Sequence, residues 1–205
     1  MHRLSCAALG QTAPEYTARM VALESEYGHP YHMTLDEYWG WRDLQELRYE
    51  YLTGAAFAMS GASRSHNLVA GNCHGLLWNA SRGSGCAVTM ADMALFLPDS
   101  GKVYYPDVMV ACEPDGDDRY EMSPCLIVEV LSPSTQRIDR TVKLGEYTSI
   151  PTLINYLMIS SDPADPFVVQ HRRAGDLWVH NVHRADAEVT LTCPEITFRV
   201  SDLYE

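Results

Sequence analysis

Apolar residues occupy both alternating faces of the segment LIVEVL, residues 126–131, a pattern typical of a strand that is buried on both sides. One carboxylate, that of Glu129, interrupts this apolar run. An unpaired buried carboxylate costs roughly several kcal/mol, even after the protein relaxes around it. The pattern therefore predicts that a nearby positive charge offsets Glu129 or that its carboxyl group stays protonated.

The remaining hydrophobic pattern predicts further helices and strands. Thr34 and Glu37 form a capping-box pattern at the start of the first predicted helix, and Pro151 ends the last one. Helical spacing of apolar residues occurs in TLDEYWGWRDLQEL, SRSHNLVAGNCHGLLWNASRG and DRTVKLGEYTSI. Alternation predicts two strands around Gly54 in RYEYLTGAAFAMS, two in CAVTMADMALFLPDSGKVYYPDVMVAC, one in LINYLMIS and three or four in the tail.

The order of these elements predicts the fold class. The strand–helix–strand unit at 125–160 fits a parallel crossover, and antiparallel hairpins flank it. We therefore expect a fold of the α/β class in the broad sense, in which a mixed sheet of the α+β kind is flanked by helices. Residues 1–33 lack clear periodicity and are expected to form an N-terminal extension, whereas residues 34–205 are expected to form a single domain.

The charge balance restricts the partners that this chain can bind. Fifteen Lys and Arg residues against 27 Asp and Glu residues give a net charge of −12. Proteins that bind nucleic acid through its phosphates usually carry a basic footprint, so a local basic patch is required here. The segment QRIDRTVK offers such a patch in Arg137, Arg140 and Lys143, and Arg64 is a further candidate.

The apolar segments and the cysteines indicate where the protein is located. No apolar run approaches the roughly 20 residues of a membrane span, so we expect a cytoplasmic protein with no membrane partner. The cysteines are widely scattered and form no CxxC pair, so we expect inert, free thiols rather than a disulfide scaffold or a structural zinc site. They are Cys6, Cys73, Cys86, Cys112, Cys125 and Cys193.

A second carboxylate offers a partner for Glu129. Asp107 follows Pro106 and opens an apolar strand, a position where Asp usually caps a turn or binds a ligand. The spacing of 129 − 107 = 22 residues leaves room for two strands and an acidic loop. Neighbouring strands lie about 4.8 Å apart, so two such carboxylates can share one cation. Mg²⁺ prefers oxygen ligands of this kind, and substrate phosphate often completes its shell.

The motifs around these carboxylates resemble a bacterial family of restriction-endonuclease-like proteins within the PD-(D/E)xK nuclease superfamily. The segments that carry the resemblance occur in the order RYEYLTG, SRSHN, YYPDV, LIVEVLSPST and DRTVKLGEYTSIP, and the match covers about residues 33–205. The resemblance implies a restriction-endonuclease-like core. The run EVLSPST followed by a basic helix is specific to the family, whereas a lone PD is not.

The resemblance also implies roles for individual residues. Asp107 and Glu129 would hold the metal, and Glu50 would be an additional acidic ligand or would position a water molecule. The general pattern has a lysine at position 131, where this chain has Leu131. The closer family resemblance instead places the catalytic basic group on the following helix, at Lys143.

Each of these residues has a simpler structural interpretation. Glu129 could pair with an arginine or lysine for stability alone, and Asp107 could cap a turn. Glu50 could lie on an exposed strand face or pair with Arg48. Lys143 lies four residues after Asp139, an arrangement typical of a weak ion pair on a helix surface. A histidine at a helix start, such as His66, is more often structural than functional.

The function implied is phosphodiester hydrolysis by an endonuclease that requires Mg²⁺, with Mn²⁺ as a substitute, and that acts on DNA as a homodimer. Arg64, His66, Arg137 and Arg140 are the candidate nucleic-acid contacts. The main alternative is a catalytically inactive module that keeps the nuclease fold for binding or regulation, which the acidic charge and Leu131 favour. A third candidate is a metal hydrolase that acts on a small phosphoester.

Overall fold

A computed structural model of the chain describes residues 29–113, 117–133 and 135–205. These residues belong to two compact units that divide between Ser60 and Gly61. Most of the extension predicted for residues 1–33 lies outside the described residues, although its end contributes the short strand β1, Tyr31–His32. The domain boundary at residue 34 therefore stays a prediction.

The first unit is a three-stranded antiparallel sheet with one helix. Glu37 N–H donates to Thr34 Oγ1 at 3.3 Å and Thr34 N–H donates to Glu37 Oε2 at 2.7 Å, so the predicted capping box is confirmed. Thr53 and Gly54 both have positive φ, at 50° and 86°, as a two-residue hairpin turn of type I′ requires. The elements are α1 (Leu35–Arg42), β2 (Tyr49–Leu52) and β3 (Ala55–Ala58), and the sheet order is β1-β3-β2.

The second unit holds the remaining helices and strands. They are α2 (Arg64–Ser81), β4 (Ala87–Met90), β5 (Ala94–Leu97), β6 (Lys102–Tyr104), β7 (Val108–Ala111), β8 (Tyr120–Glu121), β9 (Leu126–Leu131), the helical segment α3 at 136–147, β10 (Asn155–Ser160), β11 (Phe167–Ala174), β12 (Leu177–Arg184), β13 (Glu188–Thr192), β14 (Glu195–Arg199) and a 3-10 turn (Val200–Leu203). None of the helices in the described part of the chain is long and apolar enough to cross a membrane.

A six-stranded mixed sheet forms the centre of the second unit, with the order β12-β11-β10-β9-β7-β4. Its β9 and β10 run parallel, which confirms the predicted crossover, and its other neighbours are antiparallel. The segment between Cys86 and Cys112 holds four strands where two were predicted, because breaks follow β4, β5 and β6. The fold class is therefore the mixed α+β architecture that the sequence predicts.

Helix α2 covers one face of this sheet. Its buried residues Val69 and Leu77 join Val110, Val128 and Val130 of the sheet in one apolar cluster. Side chains alternate between the two faces along a strand. Even-numbered residues of β9 therefore face α2, whereas Glu129 projects from the opposite face.

Segment α3 follows β9 and is not a uniform helix. It consists of Gln136–Ile138, a π-helical stretch Asp139–Lys143, and Leu144–Tyr147. The predicted helix before Pro151 is therefore confirmed. A π-helical turn is rare and often lies at a functional site. Here it places Lys143, its last residue, against the sheet.

The expectation of free thiols is wrong for four of the described cysteines. Disulfides join Cys86 to Cys112 and Cys125 to Cys193, whereas Cys73 is a free, buried thiol. These bridges connect residues 26 and 68 positions apart. Sequence spacing does not indicate the pairs, because the fold brings them together at one edge of the sheet.

Candidate active site

The carboxylate of Glu129 lies on an interior strand and is only 4% exposed. Its Oε1 accepts hydrogen bonds from Lys143 Nζ at 3.0 Å and from the Tyr147 hydroxyl at 2.8 Å. A buried carboxylate is tolerated when a charge and further hydrogen bonds compensate it. Lys143 and Tyr147 supply this compensation, so a cation of the protein itself offsets Glu129.

Lys143 is held between two carboxylates. Its Nζ lies 3.0 Å from Glu129 Oε1 and 3.6 Å from Asp139 Oδ1, and it also lies 5.7 Å from the centre of the Tyr104 ring. Lys143 is 6% exposed and Asp139 is 2% exposed. The alternative of a helix-surface ion pair is therefore wrong, since this pair is buried within the same network as Glu129.

Three tyrosines form the wall of this network. The Tyr147 ring packs edge-on against Tyr104 at 5.5 Å and against Tyr156 at 5.3 Å. The Tyr156 hydroxyl donates to the backbone carbonyl of Asp139 at 3.1 Å. Burial, followed by the charge of Glu129, raises the pKa of Tyr156 well above its usual value of 10.0. The three rings therefore pack as one buried aromatic cluster beside the charged groups.

Asp107 lies where the register of β7 and β9 brings it opposite Glu129. Val108 pairs with Val128 in this antiparallel register, and one further step sets Asp107 opposite Glu129. Its Oδ2 accepts a hydrogen bond from the Val130 N–H at 2.7 Å. The structure thus brings the two predicted carboxylate residues to adjacent positions on neighbouring strands.

His66 is the second partner of Asp107. Its ring Nε2 lies 3.3 Å from Asp107 Oδ2. The backbone N–H of His66 donates to the hydroxyl of Ser63, the residue that caps α2. Burial of the ring acts to lower the pKa of His66, but the hydrogen bond and the charge of Asp107 outweigh it and raise the pKa above 6.5. His66 therefore has both the structural role of a helix-start residue and a direct contact with the candidate site.

The remaining predicted site residues differ in their exposure. Arg64, Arg137 and Arg140 are exposed, as side chains for an external partner must be. Glu50 lies on β2 in the first unit and is 2% exposed, so the alternative of an exposed strand face is wrong. Its predicted role as a further acidic ligand stays a prediction.

Sequence reasoning missed part of the network around Lys143. The sequence places Asp139 on a helix surface, and it singles out neither Tyr104 nor Tyr156. A signal for Asp139 exists, because it lies four residues before Lys143 and the two can face the same side. Tyr104 and Tyr156 carry no such signal, since only packing against Tyr147 distinguishes them from other core tyrosines.

The two carboxylates have the chemistry that a hard divalent cation prefers. Asp107 and Glu129 offer oxygen ligands, which Mg²⁺ prefers over nitrogen and sulfur. Each carboxylate carries two oxygens, so it can accept the hydrogen bonds described above and still bind a cation. Lys143 adds a positive charge on the same face as Glu129, where it could stabilise an anionic substrate.

Comparisons with known proteins agree with this fold. Residues 35–201 match the model of the family Uma2, described as "Putative restriction endonuclease". Two uncharacterized proteins of Synechocystis sp. are similar: one is 30% identical over 171 residues, covering 82% of this chain and 90% of that protein. The other is 35% identical over 131 residues, covering 62% of this chain and 74% of that protein.

A solved structure supports the fold. The crystal structure of a "putative nuclease belonging to DUF820" from Anabaena variabilis superimposes with a TM-score of 0.65. It is 18% identical in sequence, and the match covers 84% of this chain and 97% of that one. At this identity the likeness establishes a shared fold, and the roles of the individual residues rest on the geometry described above.

Proposed function

This chain belongs to the Uma2 family, described as "Putative restriction endonuclease", and we propose that it is a metal-dependent endonuclease that hydrolyses the phosphodiester bonds of DNA. One observation carries the proposal. Asp107 and Glu129 occupy opposing positions on adjacent strands, and Lys143 donates to Glu129 from the following segment. Two carboxylates with a lysine are the groups that this chemistry needs.

Asp107 and Glu129 are the proposed ligands of the metal. We propose Mg²⁺ as the physiological ion and Mn²⁺ as a substitute, because both prefer carboxylate oxygens. The chemistry that such an ion would supply is polarisation of the phosphoryl oxygens and activation of a water molecule as the nucleophile. His66 would act as a positioning residue, since its ring fixes the Asp107 carboxylate.

Lys143 would act on the substrate rather than on the fold alone. Its ammonium lies at the buried end of the site, where a positive charge stabilises the negative charge that develops on the phosphoryl group. Asp139 contacts this ammonium directly. Tyr147 holds it indirectly, because it donates a hydrogen bond to Glu129, the other partner of Lys143. Lys143 thereby takes the role that the general pattern assigns to a lysine at the position of Leu131.

DNA binding requires a local cationic surface on an acidic protein. Arg64, Arg137 and Arg140 are exposed, and Arg137 and Arg140 lie on the segment that carries Lys143. Three arginines are few for a chain of net charge −12. A homodimer would present two such patches to one duplex, and we propose this assembly for that reason.

One observation favours the alternative of an inactive module. Lys143 already compensates Glu129 within the protein, so Glu129 does not need a metal ion for its burial. A protein that keeps this network for stability alone would bind nucleic acid without cutting it. The two functions differ in whether Asp107 and Lys143 affect turnover.

Plasmid cleavage in Mg²⁺ or Mn²⁺ tests the proposal. We expect nicking or linearisation by the wild type and its loss in Asp107→Asn, a substitution that keeps the size of the side chain. Asp176→Asn is the matched control, because Asp176 is exposed in the turn between β11 and β12, at the end of the sheet away from Glu129. Cleavage by Asp107→Asn at the wild-type rate would contradict the proposed site. DNA binding by a wild type that cuts nothing would favour the inactive module.

Metal binding is tested separately by titration calorimetry with Mg²⁺ and Mn²⁺. We expect Glu129→Gln to weaken binding, since it removes the negative charge but keeps an acceptor for Tyr147. Circular dichroism would verify that the variant is folded. Equal binding by the wild type and Glu129→Gln would exclude Glu129 as a ligand, whatever the outcome of the cleavage assay.

A further inference from the structure

Four cysteine sulfurs meet at the end of the sheet that is opposite the candidate active site. Cys112 Sγ lies 3.3 Å from Cys193 Sγ and 3.9 Å from Cys125 Sγ, across the two disulfides. The sulfurs of Cys86, Cys112 and Cys193 all lie within 4.8 Å of one another. Two disulfides that serve only as cross-links do not require contact between their sulfurs. The packing of the two disulfides against each other therefore requires an explanation.

The fold builds this cluster from four separate elements. Cys86 precedes β4, Cys112 follows β7 and Cys125 precedes β9, so the antiparallel order brings all three to one edge. Cys193 lies in the turn between β13 and β14. The cluster therefore joins the central sheet to the β13–β14 hairpin.

The contacts between the two bridges are close to the ligand spacing of a tetrahedral metal centre. With Zn–S bonds of about 2.3 Å, the edges of a tetrathiolate site are about 3.8 Å long. The two contacts between the bridges, 3.3 Å and 3.9 Å, are close to this edge length. Reduction would let each bonded pair separate to the same edge length, so that all four thiolates surround one ion.

The environment also suits a structural zinc site. Cys125 and Cys193 are 7% and 9% exposed, and both belong to the apolar core, which shields a metal centre from water. Arg82 lines the same surface cavity as Cys86, and a nearby cation favours the thiolate form that binds metal. Closed sites with four cysteine ligands are structural rather than catalytic.

We propose that the reduced protein binds one Zn²⁺ through Cys86, Cys112, Cys125 and Cys193, and that the two disulfides are the oxidised form of the same cluster. The site is distinct from the proposed active site: β7 begins after Asp107 and ends before Cys112, a separation of about 17 Å along the strand. Sequence spacing does not reveal the site because its ligands are spread over 108 positions, from 86 to 193.

Zinc uptake by the full chain tests the proposal. A phosphine reductant opens each bridge, taking the oxygen of one water as phosphine oxide and leaving two thiols; zinc then displaces the thiol protons. After removal of unbound metal, elemental analysis should find one zinc per chain. Replacement by Co²⁺ should give the sulfur-to-metal charge-transfer absorption that a site of oxygen ligands cannot produce.

Three variants make the test specific. Cys193→Ser and Cys86→Ser should each bind zinc at least about tenfold more weakly, since even an altered outer-shell contact costs a metal site that much. Cys73→Ser is the matched control, because Cys73 is a free thiol on α2 outside the cluster. Circular dichroism would verify that each variant is folded, and Cys86 lies at an edge strand where the substitution is least disruptive.

The possible outcomes differ in the absorption of the cobalt-substituted protein. Charge-transfer absorption in the wild type and Cys73→Ser, with its loss in a folded cluster variant, would establish the site. A reduced and folded wild type without that absorption would overturn the proposal and leave the two disulfides as simple cross-links. Retention of the wild-type signal by both Cys193→Ser and Cys86→Ser would also overturn it.

Discussion

Replacement of Lys143 by methionine should destabilise the protein far more than the loss of a surface ion pair. Methionine preserves most of the length of the side chain and removes only the charge. Glu129 and Asp139 would then share a buried site without their cation, since the two are 4% and 2% exposed. The decrease in the free energy of unfolding therefore measures how strongly the ammonium stabilises both carboxylates.

The distances give the expected magnitude. At an effective dielectric constant of about 20, the attraction is about 5 to 6 kcal/mol for the 3.0 Å contact with Glu129 and about 4 to 5 kcal/mol for the 3.6 Å contact with Asp139. Desolvation of the ammonium and repulsion between the carboxylates oppose this attraction. Breaking a buried pair by removing one partner typically costs about 3 to 5 kcal/mol, and we expect a loss of that size.

Urea unfolding of the full chain at neutral pH measures this loss. Arg184→Met is the matched control, because it removes an ion pair of 2.7 Å in which both side chains are about 60% exposed. Such a pair contributes about 1 kcal/mol or less. The double variant Lys143→Met with Glu129→Gln should be more stable than Lys143→Met alone, since a neutral amide replaces one of the two buried carboxylates. A cost for Lys143→Met no larger than that of Arg184→Met would refute the buried network.

Three further predictions concern groups near this network and elsewhere in the second unit. Tyr147→Phe removes a hydrogen bond to the Glu129 carboxylate and should cost about 1.5 to 3 kcal/mol in the free energy of unfolding, measured by urea titration; an unchanged midpoint would contradict the contact. Burial lowers the pKa of His171 below 6.5, so the folded state binds protons less readily than the unfolded state. The contribution of His171 to stability is therefore present above pH 6.5 and decreases as the pH falls through that value, and His171→Gln should flatten the dependence of the melting temperature on pH between about 7 and 5; identical slopes would argue against it. Burial raises the pKa of the Cys73 thiol to about 12, so alkylation of Cys73 at pH 8, followed by mass spectrometry, should be slow in the native protein and fast in urea; rapid native labelling would mean that the thiol is accessible.

Local patterns in the sequence predicted most of the secondary structure. The capping box at Thr34, the hairpin around Gly54 and the helix that begins after Ser63 all follow from contacts between residues a few positions apart. The four strands between Cys86 and Cys112 were underestimated as two, because short turns interrupt a continuous apolar pattern. Periodicity does not locate such interruptions when both faces of the strands are buried.

The candidate site was predicted residue by residue, but its contacts were not. The apolar run around Glu129 showed that its charge needs compensation, and a metal ion shared with Asp107 was the cation expected. In the structure, Lys143 and Tyr147 supply that compensation, and they lie 14 and 18 residues after Glu129 in the sequence. The sequence placed Lys143 in a basic patch, but a catalytic role for it came only from the family resemblance. Its distance from Glu129 depends on how α3 packs against the sheet.

The sequence by itself determined that a carboxylate lies in a buried strand, that an aspartate precedes another apolar strand, and that a basic segment follows. Alternation and spacing carry this information because they reflect contacts within one element. Only the tertiary structure decided that Lys143 meets Glu129, that Asp139 is buried beside it, and that four distant cysteines share one cluster. These contacts depend on strand register and on the packing of segments that are far apart along the chain, and no local pattern encodes either.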